Sequence, residues 1–253
     1  DLMEKEGADV WFIKDESALL PKDTSCKKCN SRDFVKEKDI LDVWFDSGIS
    51  HQAVLKNRPD LKFPAELYLE GSDQHRGWFQ SSLITGVAIE GESPFKSVLT
   101  HGFVVDGTGK KMSKSLGNVI SPIDTLRDYG ADILRLWVSS SDYSEDIRIS
   151  PEILNRVSDS YRKIRNTFKF LLGNISDFDP ASCAIAKKDM LEVDLWALRE
   201  LGILLTEVEE AYKNFQFHKV YSLVYNFSVV KLSNIYLDIL KDRLYTFKNT
   251  SAE

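Results

Sequence analysis

Leu67-Tyr68-Leu69-Glu70-Gly71-Ser72-Asp73-Gln74-His75-Arg76-Gly77-Trp78-Phe79 opens the stretch that decides the fold. The apolar start, stopped by Gly71, reads as a strand. Behind it Trp78, Leu83 and Val87 recur near helical spacing and predict a helix from Asp73 to Ile89, capped by Ser72 or Asp73. The run from Ser97 to Val105 reads as a second strand, closed by the turn Asp106-Gly107-Thr108-Gly109. Strand, helix, strand at this spacing is a βαβ unit, which implies a parallel sheet with ligands at the carboxyl ends of its strands. Upstream, Ile40-Leu41-Asp42-Val43-Trp44-Phe45 reads as a further strand ending at Asp46-Ser47-Gly48.

Near residue 145 the pattern changes. Val157, Tyr161, Ile164, Phe168, Leu171 and Ile175 fall on one helical stripe, and Leu198, Leu201, Leu205, Val208 and Tyr212 on a second. Residues 217–245 look like a third long helix. The expected fold class is therefore α/β over 1–145 followed by an all-α antiparallel helical bundle over 146–253.

Composition removes other classes. With 43% hydrophobic and 28% charged residues, the chain can build a core and is not disordered. No apolar run approaches the ~18 residues of a membrane span. A net charge of -6 argues against a generally basic nucleic-acid coat, though not against a local basic face. Three cysteines are too few for a disulfide scaffold and suit a reducing cytoplasm. Cys26 and Cys29 have zinc-like spacing, but no second pair exists. They are either half a metal site completed by further chain or a knuckle without metal.

Four places carry chemistry. Lys110-Lys111-Met112-Ser113-Lys114-Ser115-Leu116-Gly117-Asn118 puts three ammonium groups and two hydroxyls on one glycine-flanked loop, which suits a polyphosphate. A solvated basic turn would account for the same charges. Glu70, Gly71 and Asp73 stand at a strand end, where carboxylates can accept from ribose hydroxyls and glycine admits a ligand. A capped helix with acids on its dipole is the plainer account. Trp44 fits a strand-end core residue equally well, and His101 a buried or capping histidine. Outside these four, Arg148, Arg156, Arg162, Lys163, Arg165 and Lys169 oppose only Glu152 and Asp159, a local positive face that suits an RNA backbone or a merely solvated helix.

Lys111 to Ser115 match the KMSKS motif of class I aminoacyl-tRNA synthetases letter for letter, just after a strand. Residues 70–79 and 42–48, with Phe217–Tyr221 and Leu237–Tyr245 in the helical half, resemble the isoleucyl-tRNA synthetases of bacterial type. The resemblance implies the second half of a Rossmann-like nucleotide-binding domain, then the start of an anticodon-binding domain. It implies ATP with Mg²⁺, isoleucine and its tRNA as partners, and a monomeric cytoplasmic enzyme joining isoleucine to tRNA through an adenylate. Lys114, assisted by Lys111, would serve catalysis, with Ser113 and Ser115 beside them on the phosphates. Glu70, Gly71 and Asp73 would face the ribose or adenylate, and Gln74 the substrate amino group. The backbone of Phe103 and Val104 would lie on adenine and His101 near the phosphates. Trp44 and Trp78 would wall the isoleucine side chain, while Arg156, Arg162, Lys163, Arg165 and Lys169 would meet tRNA. Some relatives complete a Zn²⁺ site with a distant cysteine pair.

The family's His-Ile-Gly-His motif does not occur in these residues, nor is there room for an editing domain. Together with the missing initiator Met, this gives the expectation of a fragment that is inactive alone. Two rivals stand beside this reading: a class I sibling for valine, leucine or methionine, and a tRNA-binding module without catalysis.

Overall fold

The computed structural model describes residues 2–248, which fall into two compact units. The first takes the chain up to Leu67 together with Gln74–Ser97. After short helical turns at Leu2–Glu6, Val10–Ile13 and Glu16–Leu19, its main elements are α1 (Val43–Gly48) and α2 (Trp78–Glu90). Here the expected strand at 40–45 is corrected: Val43 to Gly48 is helical, so Trp44 lies in a first helical turn rather than at a strand end. The Asp42 carboxylate accepts from the Trp44 N–H at 2.8 Å, and Ser47 Oγ donates to the Val43 carbonyl at 2.9 Å. That N-cap prevails over the β-propensity of Val-Trp-Phe because no neighbouring strand pairs with these residues among those described.

α1 lies tight on α2. A Cβ on Gly48 would come within 3.0 Å of Ser81 Cβ, and Thr85 Oγ1 donates to the Gly48 carbonyl at 3.0 Å. α2 begins at Trp78, not at Asp73; Ser72–Arg76 forms a 3₁₀ turn before it. Neither Ser72 nor Asp73 caps it. Gln74 Oε1 does, accepting from the Trp78 N–H at 2.9 Å. Gly91, at φ +76°, ends the helix by donating to the Val87 carbonyl.

The second unit holds Tyr68–Asp73 and the chain from Val98 onward. Strands β1 (Tyr68–Gly71) and β2 (Val98–His101) pair in parallel, with Gly71 opposite His101. The chain between them passes through α2, so the βαβ order read from sequence holds. The strand expected over 97–105 is divided. Its second part is β3 (Val104–Asp106), which pairs in parallel with β4 (Ile147–Ile149) in a separate sheet. Gly102 makes the break: its N–H donates to the Tyr143 carbonyl, and its Cα lies so close to Glu145 that a Cβ there would stand 2.3 Å from the carbonyl.

Helices α3 (Pro122–Tyr129) and α5 (Pro151–Asn174) each start with Pro behind a serine cap, Ser121 and Ser150, and α4 (Ala131–Ser140) lies between them in sequence. Ile133, Trp137, Ile149, Leu154 and Val157 form one buried core, and Trp137 Nε1 donates to the Arg148 carbonyl at 3.1 Å. This core draws on residues from both sides of position 145.

Farther along, α6 (Glu192–Lys213) and α7 (Phe217–Asn226) are joined by a short link. The third long helix expected over 217–245 is helical throughout, but its middle, Phe227–Tyr236, is π-helical before α8 (Leu237–Thr246). Asp194 on α6 pairs with Arg243 on α8 at 3.1 Å and accepts from the Tyr236 hydroxyl at 2.8 Å. Burial first, then the hydrogen bond to Asp194 and after it the Asp194 charge, push the Tyr236 phenol up to about 12. Leu198 and Leu201 line an apolar cavity of about 910 Å³ and stay partly exposed, as does Leu205. No helix among the described residues is long and apolar enough to cross a membrane.

Candidate functional site

At the carboxyl ends of β1 and β2 the second unit gathers Gly71, Asp73, His101 and Phe103. A Cβ on Gly71 would meet Asp73 Oδ1 at 2.7 Å, Phe103 at 3.7 Å and His101 at 3.8 Å, so glycine keeps this cradle open. Glu70 is exposed, and its Oε2 accepts from the Gly71 N–H at 3.2 Å. His101 Nδ1 lies 2.8 Å from the Gly102 carbonyl, an acceptor, which requires a proton on Nδ1. Phe103 commits both backbone groups inside the fold: its N–H donates to Asp146 Oδ1 at 2.7 Å and its carbonyl accepts from the Ile147 N–H at 2.9 Å. What Phe103 offers outward is its half-exposed ring.

The lysine loop follows β3 directly. Lys111 bridges back to Val105, Ser113 caps a 3₁₀ turn over Lys114–Leu116, and Gly117 closes it at φ +67°. Ser113 Oγ and Ser115 Oγ are 3.1 Å apart. Lys111 and Lys114 are exposed, and neither ammonium is tied to a carboxylate among the described residues. Two residues that sequence reasoning left without a role hold this loop. Asp106 Oδ1 accepts from the N–H groups of Thr108 and Lys110, while Oδ2 accepts from Asn118 Nδ2 at 2.7 Å. Asn118 Oδ1 in turn accepts from the Ser113 N–H at 2.9 Å. The Asn118 amide first, then the Lys110 N–H and the Thr108 hydroxyl, hold the Asp106 carboxyl far below the usual carboxylate range. The available signal was an Asp opening a Gly-rich turn and an Asn closing the loop.

In the first unit Gly77 sits between Trp44 and Gln74. A Cβ there would strike Gln74 Oε1 at 2.6 Å and the Trp44 ring at 2.8 Å. Trp78 is fixed by its Nε1, which donates to the Ser47 carbonyl at 2.9 Å. Trp44, Gln74 and Trp78 are thus brought together by α1 and the start of α2.

The family model described as tRNA synthetases class I (I, L, M and V) matches residues 1–150, and that of the anticodon-binding domain of tRNA ligase matches residues 194–253. The chain belongs to the class I tRNA synthetases. It is 56% identical over 253 residues to the isoleucine–tRNA ligase of Caldanaerobacter subterraneus, covering 100% of this chain and 27% of that protein. With the isoleucine–tRNA ligase of Syntrophotalea carbinolica it shares 58% over 245 residues, 97% of this chain and 26% of that protein. The chain thus spans about a quarter of the length of these relatives. A leucyl-tRNA synthetase of Agrobacterium radiobacter, solved in a ternary complex with tRNA, shares the fold at a TM-score of 0.66 and 21% identity, over 81% of this chain and 28% of that one. The methionyl-tRNA synthetase of Mycobacterium tuberculosis does so at 0.59 and 19%, over 75% and 37%.

Within this synthetase chain the basic residues of α5 divide between two faces. Arg156 and Lys163 fall on one, where Lys163 Nζ donates to the Tyr225 hydroxyl at 3.3 Å; Arg162, Arg165 and Lys169 fall on the other, with Arg162 paired to Asp159. Cys26 and Cys29 form a knuckle turned at Asn30, φ +58°, in which the Lys28 and Cys29 N–H groups and the Cys29 thiol hold the Cys26 thiol below its ordinary value. Two thiols are half of a zinc tetrahedron. Among the described residues no group of three or more His, Cys, Asp or Glu gathers to hold a metal.

Proposed function

We propose that the full-length protein joins L-isoleucine to its tRNA in two steps. The isoleucine carboxylate first attacks the α-phosphate of ATP and pyrophosphate leaves; the isoleucyl group then passes from the adenylate to tRNA. The observation that carries this is the KMSKS loop, held by Asp106 and Asn118 so that two unpaired ammonium groups stay exposed. Positive charge committed to no carboxylate is available to phosphate oxygens, and Lys114, with Lys111, stabilises the charge that develops on departing pyrophosphate. Ser113 and Ser115 lie beside the same phosphates. Mg²⁺ enters with ATP as part of the substrate.

Gly71 leaves room for the nucleotide, Glu70 and Asp73 accept from its ribose hydroxyls, and His101 Nε2 lies toward the phosphates. The Phe103 ring and the adjoining Val104 backbone give adenine a flat surface. Trp44 and Trp78 grip the isoleucine side chain, while the second lone pair of Gln74 Oε1 accepts from the ammonium. Residues 1–145 form the catalytic half and 146–253 the tRNA-binding bundle, where the basic side chains of α5 meet tRNA; the 194–253 anticodon-domain match supports that division. The full-length protein works as a cytoplasmic monomer.

The pocket assignment has a direct test in the full-length protein. Trp78→Ala should raise KM for isoleucine at least tenfold while changing KM for ATP less than threefold, because a large apolar wall is lost and the phosphate loop is not. Equal rises for both substrates would show a general folding defect and remove Trp78 from the pocket. Measuring ATP and tRNA binding separately distinguishes this reading from a non-catalytic tRNA-binding module, which would bind tRNA alone.

A further inference from the structure

α1 supplies the Trp44 wall of the slot between the two indoles, yet little of its own burial fixes where it lies. It is six residues long and buries Gly48, while Val43, Trp44 and Phe45 stay exposed. A helix this short does not hold itself together in water. Two of its residues, one turn apart on one face, rest on α2: the Trp44 ring against Gly77, and Gly48 against Ser81. Polar ties at the carboxyl end of α1 keep that register. The Ser47 carbonyl accepts from Trp78 Nε1 at 2.9 Å, and Thr85 Oγ1 and His51 Nδ1 converge on the Gly48 carbonyl at 3.0 and 3.1 Å. Thr85 is the less committed donor. Its Oγ1 is also 2.9 Å from the Ser81 carbonyl one turn back, and a hydroxyl has one proton to give. His51 is fully buried, opens the π-helical turn His51–Leu55, and packs on Phe63 with ring centroids 6.0 Å apart. Facing a carbonyl, its Nδ1 must carry a proton; its Nε2 meets no hydrogen-bond partner among the described residues. Beyond it Gln52 Nε2 and Lys56 Nζ both donate to Glu90 Oε1 at 2.6 Å, which fastens this turn to the far end of α2.

A buried nitrogen without a partner costs stability, so an apolar side chain of similar size would serve the core better at position 51. What the imidazole adds is the Nδ1 bond to the end of α1. We infer that His51 is a positioning residue for amino-acid selection: through the Gly48 carbonyl it sets how α1 lies on α2, and so the gap between the Trp44 and Trp78 indoles. Trp44 and Gly48 move together because they share one face of one rigid turn. Small movements suffice. An apolar slot grips by dispersion, and opening it by about 0.5–1 Å forfeits roughly a quarter to a half of each contact facing the gap. The last methylene that separates isoleucine from valine is held by contacts of that kind. The inference rests on the Trp44–Trp78 pocket proposed above, and goes beyond it by naming a buried residue, out of reach of substrate, that fixes the width of the slot.

The test is ATP–pyrophosphate exchange by the full-length protein, with isoleucine and with valine in turn. His51→Leu fills the space without a donor and should raise KM for isoleucine about tenfold, with kcat and KM for ATP moving less than about threefold. Its preference for isoleucine over valine in kcat/KM should fall about threefold or more. His51→Asn puts an amide N–H near the place of Nδ1 and should restore most of the preference. His51→Gln carries its amide on to the place of Nε2 and should not. In a Trp44→Ala background, adding His51→Leu should cost no further preference, because the wall it positions is already gone. A fall in kcat for both amino acids with both KM values unchanged, or a loss that adds in full to that of Trp44→Ala, overturns the inference. Should the leucine variant not fold, the other two decide: equal preferences in the asparagine and glutamine variants overturn it. If the wild-type protein shows no isoleucine-dependent exchange, the pocket reading and this inference fall together. If it does, and the leucine variant keeps the wild-type preference, this inference alone falls.

Discussion

Replacing Lys114 by alanine in the full-length protein is expected to lower kcat for isoleucine activation by about 10²–10³, the loss that follows removal of one strong charge-stabilising donor. The KM values for isoleucine and ATP should move much less. Charge on pyrophosphate grows as it departs, so an ammonium beside it helps the transition state more than bound ATP. The structure sharpens this expectation. Ser113, Asn118 and Asp106 tie down the loop on either side of Lys114 through hydrogen bonds that do not involve its side chain, so the substitution removes a charge and leaves the loop in place. Lys114→Arg should recover only part of the rate, since a planar guanidinium does not put charge where an ammonium does. If the lysine merely attracted ATP, the alanine variant would show a raised KM for ATP, a nearly normal kcat and full recovery by arginine. Single-turnover adenylate formation at saturating ATP separates the two; a rate near wild type would remove Lys114 from the mechanism.

Gly102→Ala should be the most damaging single methyl group in the chain. Its Cβ would stand 2.3 Å from the Glu145 carbonyl carbon and oxygen and 2.6 Å from the Asp146 nitrogen, all of them backbone atoms. Relief requires the 143–146 segment to withdraw, which breaks the Tyr143 carbonyl bond to Gly102 and the Asp146 bond to the Phe103 N–H. A loss of about 3 kcal/mol is expected, or roughly 6–12 °C in the thermal midpoint for a chain of this size. Gly173→Ala supplies the contrast. Gly173 is near the end of α5 with open space around it, and alanine there should leave the midpoint unchanged or raise it slightly. Thermal unfolding of the two variants side by side checks the claim, and equal midpoints would contradict the close approach at Gly102.

These two residues show how far the sequence can be read. The βαβ order and the loop were legible because each depends on local pattern: alternating apolar runs, glycine stops, a literal motif. Gly102 was not, because what demands a glycine there is a backbone segment over forty residues away. Val43–Gly48 is helical where the sequence predicts a strand for a related reason: β-branched and aromatic residues suit a strand only when another strand is there to pair. Asp42 announced the helix as a capping residue, and its weight was visible only once no partner strand stood beside it. At the site, Lys111 and Lys114 were found by wording, whereas Asp106 and Asn118 carry no motif and emerged from their hydrogen bonds. The basic residues of α5 were found as a cluster, but helical geometry sorts them into two faces that a charge count does not separate.

The central claim, isoleucine activation, is tested most directly by amino-acid-dependent ATP–pyrophosphate exchange in the full-length protein, comparing isoleucine, valine, leucine and methionine at matched concentrations. A dry pocket between two indoles gains about 1–3 kcal/mol from one more methylene, which favours isoleucine over valine by roughly 10–200-fold in kcat/KM. Exchange should therefore be fastest with isoleucine, within that range over valine, and slower still with leucine and methionine, whose branching differs. Exchange with valine, leucine or methionine equal to or faster than with isoleucine, or none with any of the four, would contradict the account.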